Sequence, residues 1–227
     1  MYDNPAIILF IKAPIKGQIK SRLAAAFGDA AVLELYQRFV LDTLDMVRSL
    51  SLPLRICFYP PDAGSLISAW LGKEQVYTPQ QGKDLGERME GAFDQVFLEG
   101  YDRAVLIGSD IPALRASIID EAFTSLNGHD AVLGPAADGG YYLIGFTAEA
   151  FLPSVFHHIA WSTNTVCDET LSRFKRSGKQ VHLLPELHDV DTKDDLRIFL
   201  DQHRNDPAGS SRTLAYLTEQ EGTFFQP

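Results

Sequence analysis

The sequence predicts an α/β fold, a largely parallel sheet covered by helices on both faces. Three observations carry that prediction. Short apolar runs alternate with stretches of helical periodicity for most of the chain. The runs are continuously apolar, as strands buried on both faces are. Polar, glycine-bearing loops follow them, where open α/β sheets place ligands beyond the carboxyl ends of the strands.

Taken in order, Ala6 to Ile11 forms the first strand, closed by Lys12, Ala13 and Pro14. From Ser21 the residues Leu23, Phe27, Leu35, Phe39 and Leu44 fall near a helical period, and Gly28-Asp29 divides this stretch into two helices, with Asp29 capping the second. Leu54 to Tyr59 is the second strand, ended by Pro60-Pro61, and a helix over Ala63 to Leu71 leads to a brief strand at Val76 to Thr78. After the polar segment Pro79 to Asp84 come a helix over Leu85 to Leu98, a strand at Arg103 to Ile107 and a helix over Ser117 to Leu126. Strands at Asp130 to Gly134 and Tyr141 to Gly145, a helix over Thr163 to Arg176, a strand at Val181 to Leu184 and a helix over Thr192 to Gln202 complete the pattern.

The 227 residues suit one domain over 1–204 with a peripheral C-terminal extension over 205–227. With 45% hydrophobic and 22% charged residues the chain can bury a sizeable core. A net charge of −10 argues against nucleic-acid binding and against adhesion to anionic membrane, since both need concentrated Lys and Arg. No apolar run approaches the roughly 18–20 residues of a membrane span, and the N-terminus lacks the pattern of a secretory signal, so the cytoplasm is the expected location. Cys57 and Cys167 stand apart with no CxxC spacing and are expected to be buried thiols.

Four loops and one helix start carry the candidate chemistry. Lys12, Lys16, Lys20 and Arg22 cluster after the first strand beside a helix N-terminus, with Gly17 permitting close backbone approach. That arrangement suits a di- or triphosphate, and a solvated basic turn explains it equally well. Gly108-Ser109-Asp110-Ile111-Pro112 puts a carboxylate at a strand end, where it can hold Mg²⁺ or Mn²⁺ over a nucleotide or cap the next helix. Gly134 to Gly145 contains Asp138-Gly139-Gly140-Tyr141-Tyr142, which is either a tight hairpin or a sugar or base pocket with an acceptor beside aromatic surfaces. His188 to Leu196 supplies further carboxylates, of which Asp191 or Thr192 also suits a helix cap. Gln80 to Met89 is a base- or sugar-reading loop or an exposed helix start. His157-His158 suits the surface, Trp70 and Trp161 suit packing, and neither HExxH nor GxSxG occurs.

Together, FIKAPIKGQIKSRLA, QGKDLGERM, LIGSDIP, LGPAADGGYYLIG, WSTNTV and DVDTKDDL resemble the DUF2064 family of bacterial proteins assigned as glycosyltransferases, and within it the arsenosugar-biosynthesis-associated group. The resemblance runs from about Ile7 to Leu200. It implies the GT-A nucleotide-diphospho-sugar transferase fold, a Rossmann-like sheet also used by nucleotidyltransferases. On the nucleotide and phosphate side it implies Lys12, Pro14, Gly17, Lys20 and Arg22, then Gln81, Gly82, Asp84, Leu85 and Arg88, and Ser109. Ser21 stands where the family more often has Thr. Asp110 matches the metal-binding carboxylate after the fourth strand, although a full Asp-x-Asp is absent, and Asp191 resembles the late metal-binding Asp of the nucleotidyltransferases. Asp138 is the candidate catalytic base, with Gly139, Gly140, Tyr141 and Trp161 toward acceptor or sugar. The implied reaction is metal-assisted glycosyl transfer from a nucleotide-diphosphate sugar to a small-molecule acceptor. The alternatives are nucleotidyl transfer from an NTP with release of pyrophosphate, and a catalytically silent nucleotide-binding module.

Overall fold

The computed structural model describes residues 4–204 and 211–224. Seven strands form one sheet: β1 (Pro5–Lys12), β2 (Leu54–Tyr59), β3 (Val76–Pro79), β4 (Arg103–Ile107), β5 (Ala131–Pro135), β6 (Tyr141–Thr147) and β7 (Val181–Leu183). The spatial order is β3-β2-β1-β4-β6-β5-β7. Every neighbouring pair is parallel except those of β6, which runs antiparallel to both β4 and β5. The fold is α/β, as predicted, with β5 and β6 joined as a hairpin through Ala136 to Gly140.

The helices are α1 (Ser21–Phe27), α2 (Asp29–Ser49), α3 (Gly64–Leu71), α4 (Leu85–Leu98), α5 (Ala116–Ser125), α6 (Val166–Arg176), α7 (Lys193–His203), α8 (Arg212–Glu219) and α9 (Glu221–Phe224). Alternation along β1 separates two cores, since successive strand side chains face opposite ways. Ile7, Leu9 and Ile11 meet Tyr36, Val40 and Leu44 of α2, Ile67 of α3 and Ile119 of α5. Ala6, Ile8 and Phe10 meet Met89, Phe93 and Val96 of α4 and Phe174 of α6. A third cluster joins Leu23, Leu35 and Phe39 to Phe199 of α7, Tyr216 and Leu217 of α8 and Phe224. Residues 211–224 thus pack onto α2, while 205–210 and 225–227 of the expected C-terminal extension lie outside the described residues. Among the described residues no helix is long and apolar enough to cross a membrane.

Two local expectations are corrected. Asp29 does not cap α2: Gly28 holds the cap position and Asp29 lies in the first turn, with no capping side-chain bond. Helix α6 starts at Val166 rather than Thr163, because Thr163 Oγ1 donates to Ala160 O at 2.8 Å and closes a separate turn. Thr192 does cap α7 through a reciprocal box with Asp195, which leaves the Asp191 side chain for other contacts.

Candidate active site

A cleft of about 660 Å³ opens over the carboxyl ends of β1, β2 and β4 and is closed on the other side by the β5–β6 turn. Lys12, Gly17, Lys20, Arg22, Leu85, Arg88, Ser109, Asp110, Asp138, Gly140, Tyr141, Trp161 and Asp191 all line it. Pro14, Gln81, Gly82, Asp84 and Gly139 do not. Asp84 is spent on capping α4, where its Oδ1 accepts from Glu87 N at 2.9 Å. Gly82 folds against the Glu87–Arg88 backbone. Gly139 carries φ +88° and lies against Asn164, where an added Cβ would come within 2.2 Å of the carbonyl oxygen. That close approach therefore serves loop-on-loop packing instead of a ligand, and Cys167 N donates to Gly139 O at 2.9 Å to hold it.

The half of the cleft over β1, β2 and β4 is built on strand ends. Tyr36 of α2, which no motif in the sequence singles out, reaches the end of β1: its hydroxyl accepts from Lys12 N at 2.7 Å and donates to Lys12 O at 3.1 Å. Ser109 Oγ lies 3.4 Å from the same hydroxyl, so Tyr36 ties the first loop to the one after β4. Burial raises the Tyr36 pKa and keeps the phenol protonated. Buried Gln80 takes the place expected for its neighbour Gln81, donating from Nε2 to Cys57 O at 2.9 Å. The Arg88 guanidinium lies 4.2 Å from the centre of the Tyr59 ring at the rim of this half.

The centre holds an ion cluster that no local motif announces. Lys20, expected to face phosphate, instead gives its ammonium to Asp110 Oδ1 at 2.7 Å, Asp191 Oδ1 at 2.9 Å and Val190 O at 2.8 Å. An ammonium has three protons, and all three are taken. The Lys20 side chain is only 5% exposed, whereas that of Asp110 is 54% exposed and opens to the cleft. Burial works to lower the Lys20 pKa, but Asp110 and Asp191 override it and raise the group above its ordinary value. Partial desolvation within the cleft works to raise the Asp110 pKa, and Lys20 overcomes it, so that the group lies below its ordinary value. Arg22 Nη2 holds the other oxygen of Asp191 at 2.7 Å. Arg115 occupies the cap of α5, so Asp110 is not the helix cap that its position after β4 also allowed.

The fold family implies a divalent cation, and the donor set fits one. Asp110, Asp191 and the Val190 carbonyl present three oxygens to a single cationic point, the chemistry a hard ion completes with phosphate and water. Among the described residues there is no group of three or more metal-ligating side chains.

The opposite half has a different character. Asp138 Oδ1 accepts from Gly140 N at 2.8 Å, fixing the turn and leaving the second oxygen for other partners. Asp189, not singled out by its sequence context, also lines the cleft; burial, with Asp138 and then Asp191 nearby, pushes its pKa up to about 6. The Tyr142 hydroxyl is committed to Pro185 O at 2.9 Å and the Tyr141 hydroxyl points to Met89 Sδ at 3.9 Å, so the tyrosines offer ring surface rather than free hydroxyls. Trp161 meets Tyr141 edge-on at 6.4 Å, and its Nε1 is buried without a hydrogen-bond partner. Its loop is anchored by Arg173, which donates to the carbonyls of Ser154, His157 and His158. His157 instead pairs with Glu90 at 2.9 Å on the surface.

Residues 40–163 match the model of the family described as "Uncharacterized protein conserved in bacteria (DUF2064)". A crystal structure from Desulfovibrio desulfuricans G20, provisionally named a nucleotide-diphospho-sugar transferase, is 40% identical with a TM-score of 0.93, covering 97% of this chain and 96% of that one. A 3-phospho-D-glycerate guanylyltransferase of Phenylobacterium zucineum (strain HLK1) is 29% identical over 144 residues, 57% of this chain. The match spans 61% of that relative's length. Rv0371c of Mycobacterium tuberculosis H37Rv, crystallised in complex with manganese, is 18% identical with a TM-score of 0.53, covering 88% of this chain and 99% of that one, a likeness of fold alone.

Proposed function

Since this chain belongs to the DUF2064 family, with the nucleotide-diphospho-sugar transferase fold, we propose that it transfers a glycosyl group from a nucleotide-diphosphate sugar to a small hydroxylated acceptor. One observation carries the reading. The part of the cleft beyond the ion cluster is lined by Asp138 and Asp189, the hydroxyl residues Ser162 and Thr163, and the rings of Tyr141 and Trp161, with no lysine or arginine among them. The cations beside it, Lys20 and Arg22, are already paired with Asp191. Carboxylates and aromatic faces bind uncharged polyols through hydroxyl hydrogen bonds and ring packing, whereas a phosphorylated acid would meet like charge there.

In this reading Lys12 and the loop residues Gly17 to Ile19 face the diphosphate, and Tyr59, Gln80 and Arg88 border the nucleoside. The acceptor oxygen forms its bond to the anomeric carbon as the bond from that carbon to the phosphate oxygen breaks, and a nucleoside diphosphate leaves. The acceptor proton passes to the carboxylate pair Asp138 and Asp189; a carboxyl whose pKa is about 6 is well matched to a proton acceptor near neutrality. Lys12 stabilises the charge that collects on the leaving diphosphate. Asp110 and Asp191 would hold Mg²⁺ or Mn²⁺, which supplies further charge neutralisation at the phosphates when bound.

A second reading, nucleotidyl transfer, is favoured by the convergence of Asp110 and Asp191 on one cationic point and by the guanylyltransferase relative. The test is a panel of nucleotide sugars and NTPs with polyol and phosphorylated acceptors, with Mg²⁺ or Mn²⁺, following released nucleoside diphosphate and pyrophosphate separately. Acceptor-dependent release of nucleoside diphosphate is the expected result. Pyrophosphate released from an NTP with a phosphorylated acceptor would replace glycosyl by nucleotidyl transfer.

A further inference from the structure

The ion cluster at the cleft centre has a property that neither reading of the reaction requires. Asp110 Oδ1, Asp191 Oδ1 and Val190 O surround one point at 2.7–2.9 Å, and the Lys20 ammonium stands on it. Lys20 precedes α1 in a left-handed conformation, φ 42° and ψ 61°, which residues bearing a Cβ rarely adopt. Its ammonium also lies 5.6 Å from the centre of the Phe39 ring, against the third core cluster. Asp110 meanwhile keeps its open side toward the cleft, the direction from which a second cation would arrive.

We propose that the Lys20 ammonium and a divalent cation compete for this single set of oxygens, so that the ion enters only as Lys20 leaves. A divalent ion drawn to these three oxygens would stand within a few ångströms of the ammonium already on them, where like charges repel strongly. The lysine stem is flexible and already lines the cleft, so a displaced ammonium has a short path into it. Lys20 is then a resident counter-ion in the free protein and a phosphate-facing group once the ion is seated. This holds for glycosyl and nucleotidyl transfer alike, and its test uses neither nucleotide nor turnover.

The probe is Mn²⁺ alone, titrated into the full chain and followed by electron paramagnetic resonance of the free ion. Removal of the competitor in Lys20→Met is expected to tighten Mn²⁺ binding at least tenfold over the unaltered protein. Equal or weaker binding by the variant, or no binding by either protein, overturns the proposal. Because Lys20→Met leaves two carboxylates without their counter-ion and can compromise folding, the unaltered protein gives a second measurement. Lysines are reductively methylated with and without saturating Mn²⁺, and modification of Lys20 is counted by mass spectrometry. Lys20 should be protected without the ion and modified at least fivefold faster with it; protection that Mn²⁺ leaves unchanged refutes the exchange.

Discussion

Replacing Gly139 by alanine tests whether the turn bearing Asp138 is clamped against the loop of Trp161. Gly139 sits at φ +88°, where a Cβ costs about 1–2 kcal/mol whatever surrounds it. The added Cβ would also lie 2.2 Å from Asn164 O and 2.6 Å from its Cα and carbonyl carbon. Those are backbone atoms, so one loop must retreat by about 1 Å to restore van der Waals separation. Forced repacking of that kind costs about 1–3 kcal/mol, and the Cys167 N to Gly139 O bond is strained with it. The expected loss is about 2–5 kcal/mol. Gly178→Ala is the control: that glycine has φ +67° and nothing within 4 Å of the added atom, so only the conformational part, about 1–2 kcal/mol, is lost. Urea unfolding of both variants at one pH separates collision from conformation. Equal losses in the two variants would refute the clamp.

Three further outcomes follow from the same contacts. Tyr36→Phe removes the acceptor of Lys12 N at the cleft floor and should cost about 1–3 kcal/mol in urea unfolding; an unshifted midpoint would show that the strand end is held without the phenol. The folded Asp189 carboxyl keeps its proton to about pH 6 while an unfolded one releases it near 3.8, so folding stability falls as pH rises between those values and stays lower above them. Full burial would make that ~3 kcal/mol, and solvent screening of a half-exposed group leaves about 1 kcal/mol. Asp189→Asn should therefore stabilise the protein at pH 7 and not at pH 3, as compared by denaturant unfolding at both. Arg173→Met frees the carbonyls of Ser154, His157 and His158 and should cost about 1.5–3 kcal/mol, with faster proteolysis confined to the loop around Trp161; cleavage unchanged there would mean the loop is held by other contacts.

Much of the scaffold was legible because its signals are local. Leu54–Tyr59, Leu85–Leu98 and Arg103–Ile107 match the expected spans residue for residue, each bounded by proline, a capping Asp or a polar break. The insertion of β6 between β4 and β5 is a question of pairing, which the Asp138-Gly139 turn signals only as a hairpin. The site divides in the same way. Lys12, Asp110 and Asp138 stand directly after strands and could be picked out by position. The partner of Lys20 lies 171 residues away, so a run of basic residues suggested phosphate when the nearest anions belong to the protein. Asp189 gained its raised pKa from burial and then from Asp138, and Tyr36 its role from Lys12, surroundings that exist only after folding.

The separation of Lys20, Asp110 and Asp191 along the chain also orders events during synthesis. The first of these residues leaves the ribosome long before the last, and the cap and capping box of α7 directly follow Asp191. Until that final stretch docks, Lys20 and Asp110 have no third member, and closing loops this long is entropically slow. A chain ending before residue 191 contains all seven strands of the sheet yet lacks Asp191, so the charge cluster stays incomplete until that residue has been made and docked.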